Sequence, residues 1–174
     1  MTRYVALLRG VNVGGITVRS ADLAAMARDL GLDDVRTVLA SGNLLFTSDD
    51  TTRSLKARIE KGLRDSFGYD AWIVLTTAEH VAAVVDAYPF EEGDDRQPYV
   101  VYGSKPAVLK EIVEAASGLD QPPRGEQVAA GDGVVYWDCP KGSTLDTPFA
   151  KVIGKAKYRS TTTNRNLRTL RKLV

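Results

Sequence analysis

Apolar positions in the first half of the chain follow two alternating patterns. Short β-prone runs at residues 4–8, 35–40, 43–47 and 71–75 predict strands, and a Ser-Gly turn joins the middle two. Between them, apolar residues spaced three and four positions apart predict two helices, one ending at Gly31 and one capped by Asp49 or Asp50. The order β-α-β-β-α-β is that of a ferredoxin-like fold.

The second half of the chain predicts the same order of elements. A capping box at residues 76–79 opens a further helix, and the proline-containing acidic residues 88–98 are predicted as a linker. A strand, a helix beginning at Pro106, a hairpin around Gly131 and a helix containing Phe149 follow. The last predicted elements are a short strand at residues 159–162 and a helix from about Asn164 to the end.

These patterns together predict a mixed α+β chain. We expect two ferredoxin-like (βαββαβ-type) halves packed together, with domains at residues 1–87 and 99–174 joined by the linker. A basic amphipathic helix is expected at the C-terminus, because leucines and basic residues alternate there at helical spacing.

Charge is distributed unevenly, although the whole chain has a net charge of only +1. Residues 151–174 contain eight basic and no acidic residues, whereas residues 1–150 contain 15 basic and 22 acidic residues. Two interpretations of this basic segment stay open. It binds an anionic partner, or it docks on acidic residues of the same chain.

The counts of chemically special residues exclude several classes of protein. A single cysteine, Cys139, excludes an intrachain disulfide framework and a cysteine-based zinc cluster. A single histidine, His80, lies in the first turn of a predicted helix, where a structural role is expected. We predict no metal site, no cofactor and no catalytic constellation. The chain has no membrane-spanning run and no signal peptide, so the expected location is the cytoplasm.

The loop between the first strand and the first helix carries the most distinctive chemistry. It reads Arg9-Gly-Val-Asn-Val-Gly-Gly15, and its glycines allow backbone N–H groups to face an anion. The Gly10-x-x-x-x-Gly15 spacing matches the start of a phosphate-binding loop, but Ile16 stands where that loop requires lysine. A tight turn and an anion-binding loop both remain open.

Residues 4–15, which read Tyr-Val-Ala-Leu-Leu-Arg-Gly-Val-Asn-Val-Gly-Gly, resemble the opening of the bacterial domain of unknown function 1697 family. That family also has an SGN-x-x-F hairpin, similar to residues 41–46, and a T-T-R-N-W-N segment, similar in part to residues 161–166. The matches occur in order over nearly the whole chain. The resemblance implies two α+β subdomains and carries no established reaction.

Three positions depart from the family pattern. Ile16 stands where relatives commonly have lysine, and Thr163 and Arg165 stand where they tend to have arginine and tryptophan. If relatives use these positions to contact a ligand, this chain is expected to bind a different ligand or to bind it less tightly.

The C-terminal segment supplies further candidate site residues. On a helix, Arg165, Arg168 and Lys172 would lie on one side and the leucines on the other. Three polar residues near the start of this predicted helix exceed the one residue that an N-cap requires. The complete set of candidate ligand-binding residues is Arg9, Asn12, Gly14, Gly15, Asn43, Thr162, Asn164, Asn166 and Arg168.

Three hypotheses for function stay open. The first is a non-catalytic protein that binds an anionic ligand, a nucleotide or nucleic acid, through the glycine-rich loop and the basic C-terminal segment. The second is an enzyme that acts on a phosphate-bearing small molecule in a crevice between the halves, with no acid or base identified. The third is a protein-interaction module or homo-oligomer. An RNA-recognition module is disfavoured, because residues 43–47 contain one aromatic residue and no basic-glycine pair.

Overall fold

The computed structural model describes residues 1–9, 15–39, 42–119 and 125–174. Within these residues it contains two four-stranded antiparallel sheets and seven helices, which confirms the predicted α+β class. The chain divides into two compact units, Met1–Ala82 with Lys172–Val174, and Ala83–Arg171. The domain limits given above stay predictions, since a domain is defined by independent folding.

The first unit is built around one sheet. In chain order its elements are β1 (Thr2–Leu8), α1 (Ser20–Asp29), β2 (Asp33–Val38), β3 (Asn43–Ser48), α2 (Thr52–Phe67) and β4 (Ile73–Thr77). The helix α3 (Ala78–Asp86) follows β4 directly. The strands lie in the order β2-β3-β1-β4, and neighbouring strands are antiparallel.

Alternation along β1 and β3 determines which face of this sheet packs against α1 and α2. Tyr4, Ala6 and Leu8 of β1 share the helix-facing side with Leu44 and Phe46 of β3. The helices cover this side with the apolar stripes predicted from the sequence, whose buried members are Leu23, Met26, Ala27, Leu55, Ile59 and Leu63. The burial of each large side chain stabilises the unit by about 1.5–3 kcal/mol.

Two helix starts differ from the prediction, because a threonine closer to the first turn supplies the cap. Thr51 caps α2 by accepting a hydrogen bond from the backbone N–H three residues later at 3.3 Å, so neither Asp49 nor Asp50 is the cap. Thr77 caps α3 in the same way at 3.1 Å. Thr76, predicted as that cap, lies in β4.

The second unit repeats the strand arrangement of the first. Its sheet and later helices are β5 (Arg96–Gly103), α4 (Pro106–Ser117), β6 (Gln127–Ala130), β7 (Val135–Pro140), α5 (Pro148–Ile153), α6 (Ala156–Arg159), β8 (Thr162–Asn166) and α7 (Leu167–Arg171). The strands lie in the order β6-β7-β5-β8 and are antiparallel. The helix predicted around Phe149 is interrupted at Gly154, so α5 and α6 are separate.

An aromatic cluster forms the centre of the second core. Trp137 of β7 is fully buried, stacks on Tyr99 with ring centroids 5.1 Å apart and meets Phe149 of α5 edge-on at 5.4 Å. The buried Glu126 carboxylate accepts hydrogen bonds from Trp137 Nε1 at 2.9 Å and from the Phe149 backbone N–H at 2.7 Å. This carboxylate therefore ties the aromatic core to the first turn of α5.

The C-terminus departs from the predicted long basic helix. Residues 162–166 form β8, which pairs with β5, and α7 begins only at Leu167. Arg165 therefore lies in a strand and shares no helix face with Arg168 and Lys172. Pairing with β5 satisfies the backbone groups of this edge strand, which outweighs the helical spacing of the leucines. The strand predicted at residues 159–162 is displaced: Arg159 ends α6, a turn follows, and Thr162 is the first residue of β8.

No helix in the described part of the chain combines the length and the apolar composition that crossing a membrane requires.

Candidate anion-binding site

Backbone hydrogen bonds fix the end of β1, from which the glycine-rich loop leaves the sheet. The Leu8 N–H donates to the Gly42 carbonyl oxygen at 2.9 Å, and the Arg9 N–H donates to the Trp72 carbonyl oxygen at 3.2 Å. Gly42 immediately precedes β3 and Trp72 immediately precedes β4. Leu8 and Arg9, at the end of β1, are therefore bonded to the residues that precede both neighbouring strands.

Arg9 and Gly15 are the described residues on either side of the loop. Arg9 is half-buried at the end of the sheet. Gly15 has a φ of +82°, and no atom lies within 4 Å of the point where a Cβ would stand. A side chain at Gly15 is thus opposed by the backbone conformation and not by a lack of space. Asn12 and Gly14, the other candidates in the loop, lie outside the described residues.

Asn43 lies at the same end of the sheet as Arg9. It is the first residue of β3 and is fully buried, opposite Leu7 of β1. Its Nδ2 donates to the Val38 carbonyl oxygen at 2.9 Å. This hydrogen bond joins β2 to β3 beside the turn that connects them. The structure therefore places Asn43 at the end of the sheet where β1 ends and also gives it a part in joining β2 to β3.

The C-terminal candidates lie in the second unit, on β8 and α7. The Thr162 hydroxyl is buried and donates to the Tyr158 carbonyl oxygen at 2.7 Å. The Asn166 Oδ1 accepts from the Arg168 backbone N–H at 2.9 Å and so caps α7. The side chains of Asn164 and Arg168 are exposed to solvent. Two of the four candidates are therefore engaged in local hydrogen bonds and two face solvent.

Arg165 is a buried cation that the helix prediction missed. It lies opposite Val100 of β5, is only 7% exposed and donates to Thr163 Oγ1 at 2.7 Å and to the Asn164 carbonyl oxygen at 3.0 Å. Burial disfavours the charged form and lowers the pKa of the Arg165 guanidinium to about 10. The adjacent threonines, which favour strands, are the sequence signal that could have identified this segment.

The basic C-terminal segment is partly paired with acidic residues of the second unit. Lys157 Nζ lies 2.6 Å from Glu111 Oε2, and Arg171 donates to Glu92 Oε1 at 2.9 Å. The hydrogen bond from Arg171 is the largest cause that lowers the pKa of Glu92. Other basic side chains of this segment are exposed, namely Lys151, Lys155, Arg159, Arg168 and Lys172. Docking within the chain therefore accounts for part of the basic segment and leaves a set of exposed cations.

Ile16 occupies the position at which relatives commonly have lysine. Its half-buried side chain packs against the apolar core of the first unit. This packing is favourable for an isoleucine and gives the position no charge to offer an anion. Any anion bound by the loop must therefore be held by other groups.

Cys139 and His80 are both placed within local structure. The Cys139 thiol is fully buried, and burial is the largest cause that raises its pKa. His80 Nδ1 lies 2.8 Å from the hydroxyl oxygen of Thr76, which is four residues earlier in β4. Among the described residues, no group of three or more His, Cys, Asp or Glu side chains is arranged to hold a metal ion.

We expect Cys139 to react with a thiol reagent only when β7 opens. The thiolate is the reactive form, and burial both hides the sulfur and raises the thiol pKa. Modification of the native protein by an aromatic disulfide should be at least about 100-fold slower than modification in urea, because it waits for an opening of the fold. Absorbance of the released thiolate measures both rates. Equal rates would show that this strand is open in the native protein.

Comparisons with known proteins agree with this architecture. The structure of a conserved bacterial protein from Streptococcus pneumoniae matches with a TM-score of 0.83 and 26% sequence identity, covering 99% of this chain and 96% of that chain. The crystal structure of an unknown protein from Galdieria sulphuraria matches with a TM-score of only 0.29 at 9% identity, over 99% of this chain and 86% of that chain. This score is too low to indicate a shared fold. No curated protein matches the sequence.

A family model assigns the chain directly. The model described as "Protein of unknown function (DUF1697)" matches residues 1–136, which are more than half of the chain. The resemblance inferred from the opening residues and the Ser-Gly-Asn hairpin is confirmed. This protein therefore belongs to the DUF1697 family of proteins of unknown function.

Proposed function

We propose that this protein is a non-catalytic binding protein for an anionic ligand, a nucleotide or a nucleic-acid segment. The observation that carries the proposal is the position of Arg9. Its backbone N–H bonds to Trp72, just before β4, while the preceding residue bonds to Gly42, just before β3. Arg9 is half-buried and begins the glycine-rich loop, whose last residue, Gly15, has a positive φ. A cation beside glycine-rich backbone N–H groups is a combination suited to an anion.

The second unit supports the proposal through its exposed cations. Arg168 and Asn164 face solvent, whereas Thr162 and Asn166 are engaged locally. We assign Arg168 a contact to the anionic groups of an extended ligand and Thr162 and Asn166 the role of shaping β8 and α7. Exposed cations of this kind bind phosphates without distinguishing sequence, and their contribution falls as salt rises.

The proposal also covers the finer architecture and the location of the protein. Each sheet has the strand order expected of a ferredoxin-like half, with the first strand of the unit between the third and the fourth. We propose ferredoxin-like halves on this basis. We propose a cytoplasmic location because the one cysteine is a free, buried thiol, which suits a reducing compartment.

Binding by Arg9 is tested with fluorescence anisotropy. The probes are a fluorescent nucleotide and short labelled single- and double-stranded oligonucleotides, titrated with the protein across a salt series. We expect Arg9→Gln to weaken binding by about tenfold, since it removes a charge-assisted hydrogen bond worth about 1.4 kcal/mol or more. Arg168→Gln should reduce the salt dependence of oligonucleotide binding by about one phosphate contact.

Arg28→Gln is the matched control. Arg28 is an exposed arginine of α1 in the same unit as Arg9, so the variant changes the net charge equally. Its binding should equal that of the wild type. The proposal fails if the wild-type protein binds none of the probes at low salt, or if Arg9→Gln and Arg28→Gln weaken binding to the same extent.

A further inference from the structure

A second cationic feature lies on the face of the first sheet that points away from α1 and α2. Arg3 of β1 pairs with Thr47 of β3, and Arg36 of β2 pairs with Leu45 of β3. Directly paired residues share a face, and so do residues two apart on one strand. Arg3, Thr47 and Arg36 therefore share one face across three strands with Leu45, whose side chain is buried.

A β-bulge in β2 places Arg36 on this surface. Asp33 pairs with Thr47 and Arg36 with Leu45, so β2 has one more residue than β3 between these two pairs. Without the extra residue, Val35 would stand opposite Leu45. Instead Val35 packs against the helix-facing core, and Arg36 lies on the opposite face of the sheet. Asp34, within the bulge, has a φ of +48°, a conformation that aspartate adopts more readily than most residues.

The surface is concave and combines opposite charges. It lines a cavity of about 310 Å³ together with Asp34, whose Oδ2 accepts a hydrogen bond from the Thr47 hydroxyl at 3.0 Å. Arg3 and Arg36 are both exposed, and neither guanidinium makes a hydrogen bond or an ion pair among the residues that the structure describes. The cavity is thus lined by two unengaged cations, one carboxylate and one hydroxyl group, together with the buried residues Leu45 and Phe46.

We propose that this cavity binds the phosphate group of a small phosphorylated sugar, either a free sugar phosphate or a nucleotide. Arg3 and Arg36 hold the phosphate, since guanidinium groups match its oxygen atoms in pairs. Asp34 accepts a hydrogen bond from a sugar hydroxyl. The volume lies at the lower end of the range of about 300–1,000 Å³ for small-molecule sites, which favours a small ligand.

The carboxylate argues for a sugar phosphate over a simple anion. Asp34 repels a bare phosphate ion, but it becomes a favourable acceptor when the ligand brings a hydroxyl group. The site does not depend on the loop that follows β1. Arg3 and Arg9 lie at opposite ends of that strand, about 20 Å apart along the backbone. Either site can therefore exist without the other.

Backbone amide shifts in a titration followed by nuclear magnetic resonance test this proposal. The ligands are ribose 5-phosphate, adenosine 5′-monophosphate, inorganic phosphate and ribose. We expect saturable shifts around Thr47 with both phosphorylated ligands, and binding of ribose at least about tenfold weaker than that of ribose 5-phosphate. Tighter binding of adenosine 5′-monophosphate than of ribose 5-phosphate identifies a nucleotide site, and equal binding identifies a sugar phosphate site.

Three variants separate the roles in the cavity. Arg3→Gln and Arg36→Gln should each weaken ribose 5-phosphate binding by about tenfold. Asp34→Asn, which tolerates the same backbone conformation, should strengthen binding of inorganic phosphate and reduce the advantage of ribose 5-phosphate over it. Arg53→Gln, at an exposed arginine of α2, is the charge-matched control and should bind as the wild type does.

Two results would overturn the assignment. One is the absence of saturable shifts around Thr47 with both phosphorylated ligands. The other is an equal affinity of the wild-type protein and the Arg3→Gln/Arg36→Gln double variant for ribose 5-phosphate. Loss of oligonucleotide binding in Arg9→Gln tests the loop and has no bearing on this cavity.

Discussion

Glu126→Ala is expected to lower the free energy of unfolding by about 4 kcal/mol, because it leaves two buried donors without an acceptor. Trp137 Nε1 and the Phe149 backbone N–H both donate to this carboxylate, and both residues are fully buried. The Phe149 N–H belongs to the first turn of α5, where backbone donors have no partner within the helix. Urea unfolding followed by tryptophan fluorescence measures the change.

Two further variants at glutamate positions make this prediction specific. Glu126→Gln keeps one acceptor oxygen but turns an amide group toward the second donor, so a loss of about 2 kcal/mol is expected. Glu114→Ala removes an exposed carboxylate that lies 3.9 Å from Lys110, and its effect should stay within about 0.5 kcal/mol. A loss below about 1 kcal/mol in Glu126→Ala would show that other acceptors replace the carboxylate.

Asp138→Ala is expected to cost about 3–4 kcal/mol of stability, because it breaks a buried ion pair and leaves one charge behind. Arg96 Nε donates to Asp138 Oδ2 at 2.8 Å, and Arg96 also donates to the Gly125 carbonyl oxygen at 2.8 Å. The Asp138 side chain is 1% exposed and that of Arg96 is 15% exposed. The hydrogen bond that Arg96 donates to Asp138 is the largest cause that raises the pKa of Arg96, which indicates that this partner stabilises the charged guanidinium.

The control for this pair is an exposed ion pair of the first unit. Lys61 and Asp65 lie on α2 with side chains 72% and 63% exposed, so Asp65→Ala should cost at most about 0.5 kcal/mol. The double variant Arg96→Met/Asp138→Leu should be less destabilised than Asp138→Ala alone, since it leaves no unpaired buried charge. The account would be contradicted if the loss of stability in the double variant equalled the sum of the losses in Arg96→Met and Asp138→Leu measured separately.

The apolar periodicity identified nearly all helices and strands of the described chain. The stripe of Leu55, Ile59 and Leu63 became the buried face of α2, because a helix in water is stable mainly through the apolar side that it buries. The same argument holds for the central strands β1 and β3, whose alternating residues fill the first core. Membership of the DUF1697 family was also recognised from short runs of consecutive residues, chiefly residues 4–15 and 41–46.

The candidate site could be anticipated only in part. Arg9 and Gly15 were chosen as candidates because glycine and charge are visible in the sequence, and the structure places Asn43 at the same end of the sheet as Arg9. Thr162 and Asn166 were assigned to binding, but their hydrogen bonds to Tyr158 and Arg168 are determined by neighbouring backbone. The same polar residue types occur in ligand-binding sites and in helix caps or local hydrogen bonds to the backbone. Residue type alone therefore does not distinguish the two roles.

The sequence by itself determined the α+β class, the buried stripes, the family and the uneven distribution of charge. These properties depend on residue types and on spacings within one element. Only the tertiary structure decided that residues 162–166 form an edge strand, that a bulge turns Arg36 onto the face away from α1 and α2, and that Glu126 joins Trp137 to α5. Each of these features depends on a partner distant in the sequence. The free energy gained by pairing with that partner exceeds the local conformational preference of the residues, and local sequence patterns contain no information about it.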